Sequence, residues 1–174
     1  MKKADNIQSS IAVIALIAFA TLTRFLPHPA NFTAIGAIAL FGSARFKNPL
    51  IGLSLPLLSM LISDAFMPFG YNLYVYIAFL SIGLLGLSLR NTEKKRYIAM
   101  GSVAASTIFF LISNFSVWMI DGLYTKDIQG LVLCYTAAIP FYWNTLAGDL
   151  FFNTILFGAY ALYTQKVLRA SIIK

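Results

Sequence analysis

The sequence predicts an all-α membrane protein, a six-transmembrane-helix bundle with both termini cytoplasmic, forming a single domain over residues 1–174. Three observations predict it. Of the 174 residues, 59% are hydrophobic and 11% charged, against about 45–50% and about 25% in soluble globular domains. The apolar residues come in runs near the length that crosses a hydrocarbon core of about 30 Å, which takes roughly 20 residues. Threaded as six helices, the chain puts Lys2, Lys3, Arg45, Lys47, Arg90, Lys94, Lys95, Arg96, Lys166, Arg169 and Lys174 on one side and only Arg24 and Lys126 on the other. Short loops retain Lys and Arg on the cytoplasmic side, so this asymmetry orients the molecule.

The spans follow in order. Residues 10–26 form the first, ended by Pro27-His28-Pro29 because proline cannot continue a helix. Lys2, Lys3, an apolar stretch and Ala18-Phe19-Ala20 imitate a cleavable signal. The apolar run continues to Leu26, so the helix is expected to be retained. Residues 32–46 are a short second span, and 50–67 a third with Pro56 inside it. Residues 73–89 end at the basic turn Arg90–Arg96; 97–119 and 145–168 complete the six. The apolar stretch 128–141 is too short for a crossing and, read as one, would place Lys166, Arg169 and Lys174 outside. It is expected to lie in an outer loop, 120–144, holding a short helix that caps the bundle.

The net charge of +7 does not point to nucleic acid. The basic residues sit in short loops between apolar spans, where topology and anionic inner-leaflet lipids account for them. A single cysteine, Cys134, excludes an internal disulfide.

Ionisable residues at membrane depth cost several kcal/mol unless paired or hydrated, which makes them site candidates. Arg24, Asp64 and Asp149 are placed at a common depth near the outer end. Thr145, Asp149 and Asn153 recur every four residues and share a helix face. Asn114, Asn31, Thr33, Asn144 and His28 complete a polar ring. Mutual pairing of Arg24 with Asp64 or Asp149 is the structural alternative. Aromatics crowd the same end: Tyr71, Trp118, Tyr135 and Trp143, with Phe69, Tyr74, Tyr76, Tyr124, Phe141 and Tyr142. They fit an interfacial belt or the wall of a site for a planar ligand. The small residues of the second span and the pairs Gly101/Ala105 and Ser102/Ser106 suit close helix packing.

Catalytic motifs are lacking: there is no Walker sequence, no His-Glu-x-x-His and no Gly-x-Ser-x-Gly. Asp64 and Asp149 as an intramembrane aspartyl protease-like dyad are an alternative function, weakened because Leu146 stands where the first glycine of a Gly-x-Gly-Asp motif belongs. A non-transport membrane scaffold is another. The chain is expected not to be an enzyme and to need no cofactor. No metal ligand set is spaced in the sequence; Cys134 or His28 remains as a lone cobalt ligand.

Several stretches carry a resemblance: Arg24-Phe-Leu-Pro-His-Pro-Ala-Asn-Phe-Thr-Ala-Ile-Gly, Ser63-Asp64 after Pro56-Leu-Leu, Ser113-Asn114-Phe115 with Trp118, and Tyr135-Thr-Ala-Ala-Ile-Pro-Phe followed by Asn144-Thr-Leu-Ala-Gly-Asp149. Over residues 10–168 the chain resembles a family of bacterial membrane proteins with a domain of unknown function. That family is similar to the substrate-binding S-components of energy-coupling factor vitamin transporters, most of all to the solitary cobalamin-uptake type. The resemblance implies uptake of a vitamin-like micronutrient, cobalamin first, across the bacterial inner membrane. It also implies an outward cavity closed by the loops after helices one, three and five. The implied ligand-binding residues are Arg24, His28, Asn31, Asp64, Tyr71, Asn114, Trp118, Tyr135, Trp143, Asn144, Asp149 and Asn153. The loop after helix three lacks the cobalt-binding cysteine of the solitary type, reading Met67-Pro-Phe-Gly-Tyr-Asn-Leu. S-components partner an energy-coupling membrane subunit with two ATPases through an Ala-xxx-Ala pattern in the first helix. Ala12, Ala15, Ala18 and Ala20 lack that spacing, so a solitary transporter stays open.

Overall fold

The computed structural model describes the backbone of residues 2–172 except 69 and 91, and side chains from 10 to 166 apart from the same two. The side chains of Lys2, Lys3, Phe69, Arg169 and Lys174, invoked above, lie outside the described residues. Among the described residues there are six helices and no strand: α1 (Lys2–Phe25), α2 (Ile35–Arg45), α3 (Pro49–Asp64), α4 (Leu73–Leu87), α5 (Lys95–Ile120) and α6 (Ile128–Ile172).

Two of these, α5 and α6 over Ile128–Lys166, are long and apolar enough to cross a membrane. Among the described residues the remaining apolar helical stretches are shorter: residues 10–25 of α1, and α2, α3 and α4. The clearest case is α2, whose 11 residues make about 16 Å of helix. It starts at Ile35 and not at residue 32 because the chain turns at Asn31, which holds φ at 66°. The N–H groups of Phe32 and Thr33 close that turn on Pro29 and Asn31 carbonyls, each at 3.0 Å. The Thr23 hydroxyl then accepts the Ala34 N–H at 3.1 Å and ties the loop back to α1.

A second correction concerns residues 120–144. The outer loop is confined to 121–127, and the segment expected to cap the bundle is the first part of a continuous α6 that runs through Pro140. Asp127 Oδ1 starts this helix by accepting the Gly130 N–H at 2.7 Å and the Thr125 hydroxyl at 2.9 Å. The segment lies along α5: the Cys134 thiol donates to the Asn114 carbonyl at 3.4 Å, and the Tyr135 hydroxyl to the Leu111 carbonyl at 2.6 Å. Cys134 and Ala138 on one face of the segment are buried, while Ile128, Val132, Leu133, Ile139 and Phe141 stay exposed, so the segment runs beside α5 and not across the mouth.

At the centre stands α2, with every residue from Ile35 to Ala44 buried and the other five helices packed around it. Small residues let helix backbones approach closely. A β-carbon on Gly52 of α3 would fall 2.6 Å from the Gly42 carbonyl, and one on Gly86 of α4 would fall 2.5 Å from the Leu40 carbonyl oxygen. These glycines let α3 and α4 lie against α2.

At the end away from the outer loop, two arginines donate to backbone carbonyls of the turns that follow α2 and α4. Arg45 donates to Leu89 and Thr92 carbonyls at 2.9 and 2.6 Å, with its guanidinium over the Phe157 ring. Arg90 donates to Phe46 and Lys47 carbonyls at 3.1 and 2.8 Å. The outer surface of the bundle is apolar, with Ile14, Leu61, Leu84, Met100, Val132 and Leu162 exposed, whereas Ser59, Ser63, Ser102, Ser106, Asp149 and Asn153 are buried.

Candidate functional site

Arg24, in the last turn of α1, reaches α3. One nitrogen, Nη1, contacts Asp64 Oδ1 at 2.5 Å and also donates to the Ser63 hydroxyl. Tyr76, in the first turn of α4, donates its hydroxyl to Asp64 Oδ2 at 2.8 Å. Both carboxylate oxygens are therefore occupied and the side chain is 4% exposed. The mutual-pairing alternative holds for Arg24 and Asp64. It leaves Asp149 out.

Asp149 lies deeper than this pair, contrary to the common depth the sequence predicts. It accepts the Ser106 hydroxyl at 2.6 Å. Ser106 is ten residues, about 15 Å of helix, inward of Ser116, which bonds Asn72 at the outer start of α4 at 2.8 Å. The difference arises because α6 begins at Ile128, which carries Asp149 far along the helix. Asp149 is 2% exposed, and its Oδ1 abuts Gly36 at the start of α2. The ion pair of Arg24 and Asp64 is the single one among the described residues, so Asp149 has no cationic partner there.

Between these two levels lies a cavity of about 450 Å³. Its rim is His28, Ala30, Asn31 and Thr33 of the loop after α1, with Arg24 and Thr145 lower down and Asp149, the deeper group, at its floor. Met60, Val75, Phe79, Ile82 and Phe109 supply the apolar lining. The Phe79 and Phe109 ring centroids lie 5.1 Å apart with their planes tilted by 34°, which puts two aromatic side chains together in the lining. Beneath the cavity a polar chain crosses from α6 to α5. The Ser106 hydroxyl also contacts the Ser102 carbonyl at 3.0 Å, and Asn153 Nδ2 donates to the Ser102 hydroxyl at 2.9 Å. Asn153 Oδ1 is buried with no hydrogen-bond partner among the described residues.

The structure thus brings Arg24, His28, Asn31 and Asp149 to one cavity and sets Asp64 and Asn153 against its supports. The remaining predicted residues lie outside its lining. Tyr71 is 62% exposed. Asn114 turns its amide to the Phe110 carbonyl of its own helix at 2.7 Å. Trp118 donates its indole N–H to the Thr125 carbonyl at 2.9 Å and clasps the outer loop. Tyr135 bonds α5, Trp143 stands exposed beside Tyr142, and Asn144 does not reach the cavity either. Cys134 is buried against α5 while His28 sits on the rim. Among the described residues no group of three or more His, Cys, Asp and Glu could hold a metal ion.

Sequence reasoning missed Gly36, Met60, Val75, Phe79, Ile82 and Phe109 as lining and Ser106 as the partner of Asp149. The apolar ones lie in uniform runs, where nothing separates a wall residue from a lipid-facing one. Ser106 was visible only as half of a small-residue pair.

The chain belongs to a family of unknown function, DUF6580, whose model matches residues 4–171. No curated protein and no solved structure matches it.

Proposed function

We propose that this member of the family is a multi-pass protein of the bacterial inner membrane that binds a small vitamin-like micronutrient from the outer side for uptake. It would act as an S-component-like subunit or as a solitary transporter. One observation carries the reading: the cavity of about 450 Å³ whose apolar and aromatic wall bears a few converging polar groups. Its volume lies within the roughly 300–1,000 Å³ of small-molecule sites. The apolar exterior supports a lipid surrounding, because exposed large apolar surface is otherwise a liability. Arg45 and Arg90 at the end opposite the outer loop agree with the positive-inside orientation. On this reading the shorter helices cross with help from their neighbours and from the flanking loops.

The cavity suits a ligand of one or two rings. Cobalamin, with its macrocycle and nucleotide loop, is larger, and binding it would require the outer ends to part. Binding is favoured over aspartyl chemistry by the carboxylates' partners: Asp64 is held by Arg24 and Tyr76, and Asp149 by Ser106, so the two do not share a proton. Below the cavity the buried α2 closes the way inward, so release would need the helices to rearrange.

Native mass spectrometry of protein purified from cells fed a vitamin mixture tests the proposal. One small molecule at about equimolar occupancy is expected, lost when Thr33→Trp fills the rim. Cobalamin would appear as a red chromophore. A folded protein that retains nothing from the mixture at micromolar excess would overturn the reading.

A further inference from the structure

We propose that the ligand carries a protonated or strongly N–H-donating nitrogen, such as an amidine, an aminoheterocycle or a ring cation, and that Asp149 receives it at the cavity floor. The inference rests on the binding reading above and names the chemical class of the ligand.

Asp149 lines the cavity yet is 2% exposed, and a carboxylate so placed demands compensation. The protein supplies one hydrogen bond, from Ser106 to Oδ2. Its other oxygen faces the start of α2, where Gly36 offers no side chain: a β-carbon there would lie 2.4 Å from Oδ1. A carboxylate oxygen accepts more than one hydrogen bond, so acceptor capacity is left for a guest. The other ionisable groups around the cavity do not fill it. Arg24 is neutralised by Asp64, whose second oxygen takes the Tyr76 hydroxyl. His28 lies on the rim with its Nδ1 2.7 Å from the Pro29 carbonyl. The charge balance of the floor is therefore set by Asp149. Above it, Phe79 and Phe109 line the cavity with aromatic surface against which a planar guest can pack. A flat ring laid on that surface with a nitrogen pointing at Asp149 satisfies both features.

Benzamidine and benzamide test this directly, being planar isosteres that differ in charge. Isothermal titration into the full-length protein in detergent should show benzamidine binding at least tenfold more tightly than benzamide. Asp149→Asn should remove that preference. Should Asp149→Asn fail to fold, Gly36→Ala, which presses a methyl on Oδ1, should bring the two affinities to within about twofold of each other. Equal binding of the two probes to the native protein would overturn the inference, as would a preference that survives in the folded variants or the absence of binding by both. In each of these cases a micronutrient without basic nitrogen retained in native mass spectrometry leaves the binding reading standing. With no retained molecule, that reading falls as well.

Discussion

Gly36 and Asp149 meet where α2 begins beside α6, with no room for a β-carbon between backbone and carboxylate: the gap would be 2.4 Å. Gly36→Ala should therefore destabilise the protein by about 1–3 kcal/mol, the usual cost of overpacking. The loss should shrink in an Asp149→Ala background, because the clashing oxygen is gone. Denaturation in detergent measures both. Equal losses in the two backgrounds would show that Gly36 and Asp149 do not interact.

The ion pair of Arg24 and Asp64 makes a second test. Arg24→Met leaves a buried carboxylate with Tyr76 as its remaining partner, at an expected cost of about 2–3 kcal/mol, discounted from fully buried pairs because Arg24 is 19% exposed. Arg24→Lys should restore part of the stability, since Ser63 and Asp64 are both served by one nitrogen, Nη1, and an ammonium carries three donors. The double variant Arg24→Met/Asp64→Leu should recover most of the loss. If it is less stable than Arg24→Met alone, the carboxylate has a role beyond pairing.

Glycine positions along the bundle should differ sharply. Gly52→Leu drives a side chain into the α2 backbone at Gly42 and should cost more than 3 kcal/mol or abolish folding, beyond ordinary overpacking. Gly158→Ala, with nothing within 4 Å of the added atom, should be neutral or stabilising by about 0.5–1 kcal/mol. Thermal stability of the two purified variants decides the matter, and similar values for both would contradict the α2–α3 crossing.

Topology follows from the proposal of six crossings. Reporter fusions within Asp121–Asp127 should be active in the periplasmic form, and fusions after Lys174 in the cytoplasmic form. A periplasmic C-terminus would mean an odd number of crossings and would remove the outward orientation of the cavity.

The start of α6 carries a pH dependence. The Gly130 N–H, followed by the Thr125 hydroxyl, holds the Asp127 carboxyl below its ordinary value of 3.8. A depressed carboxylate contributes stability above its unfolded value and loses it as pH falls through the folded one. Hydrogen exchange at Gly130 and Leu131 should stay slow through neutral and mildly acidic pH and quicken only below the ordinary aspartate range. Asp127→Asn should keep an acceptor and lose the dependence. Fraying that sets in near pH 6 would contradict the assignment.

Much of the helical order was legible because it rests on local rules. Pro27 to Pro29 ended α1, whereas the Asn48 and Asn72 caps, which start α3 and α4 by accepting N–H groups two residues on, went unread. The alanines and glycines of α2 announced close packing. The polar residues Arg24, His28, Asn31 and Asp149 stood out because apolar runs do not carry such groups without a reason. The aromatics Trp118, Tyr135 and Trp143 misled, because an aromatic at a helix end looks the same whether it faces a cavity, a neighbouring helix or the surroundings.

By itself the sequence determined that the chain is helical and apolar, where most helices stop, and which polar residues need partners. These follow from composition, period and helix-breaking residues within a few positions of one another. Only the tertiary structure decided that residues 128–144 extend α6 along α5, that Arg24 takes Asp64 and not Asp149, and that Phe79 and Phe109 form one wall. Each is a contact between residues 30 or more apart in sequence or a choice between equivalent apolar surfaces, and such choices are settled by how whole helices fit together in space.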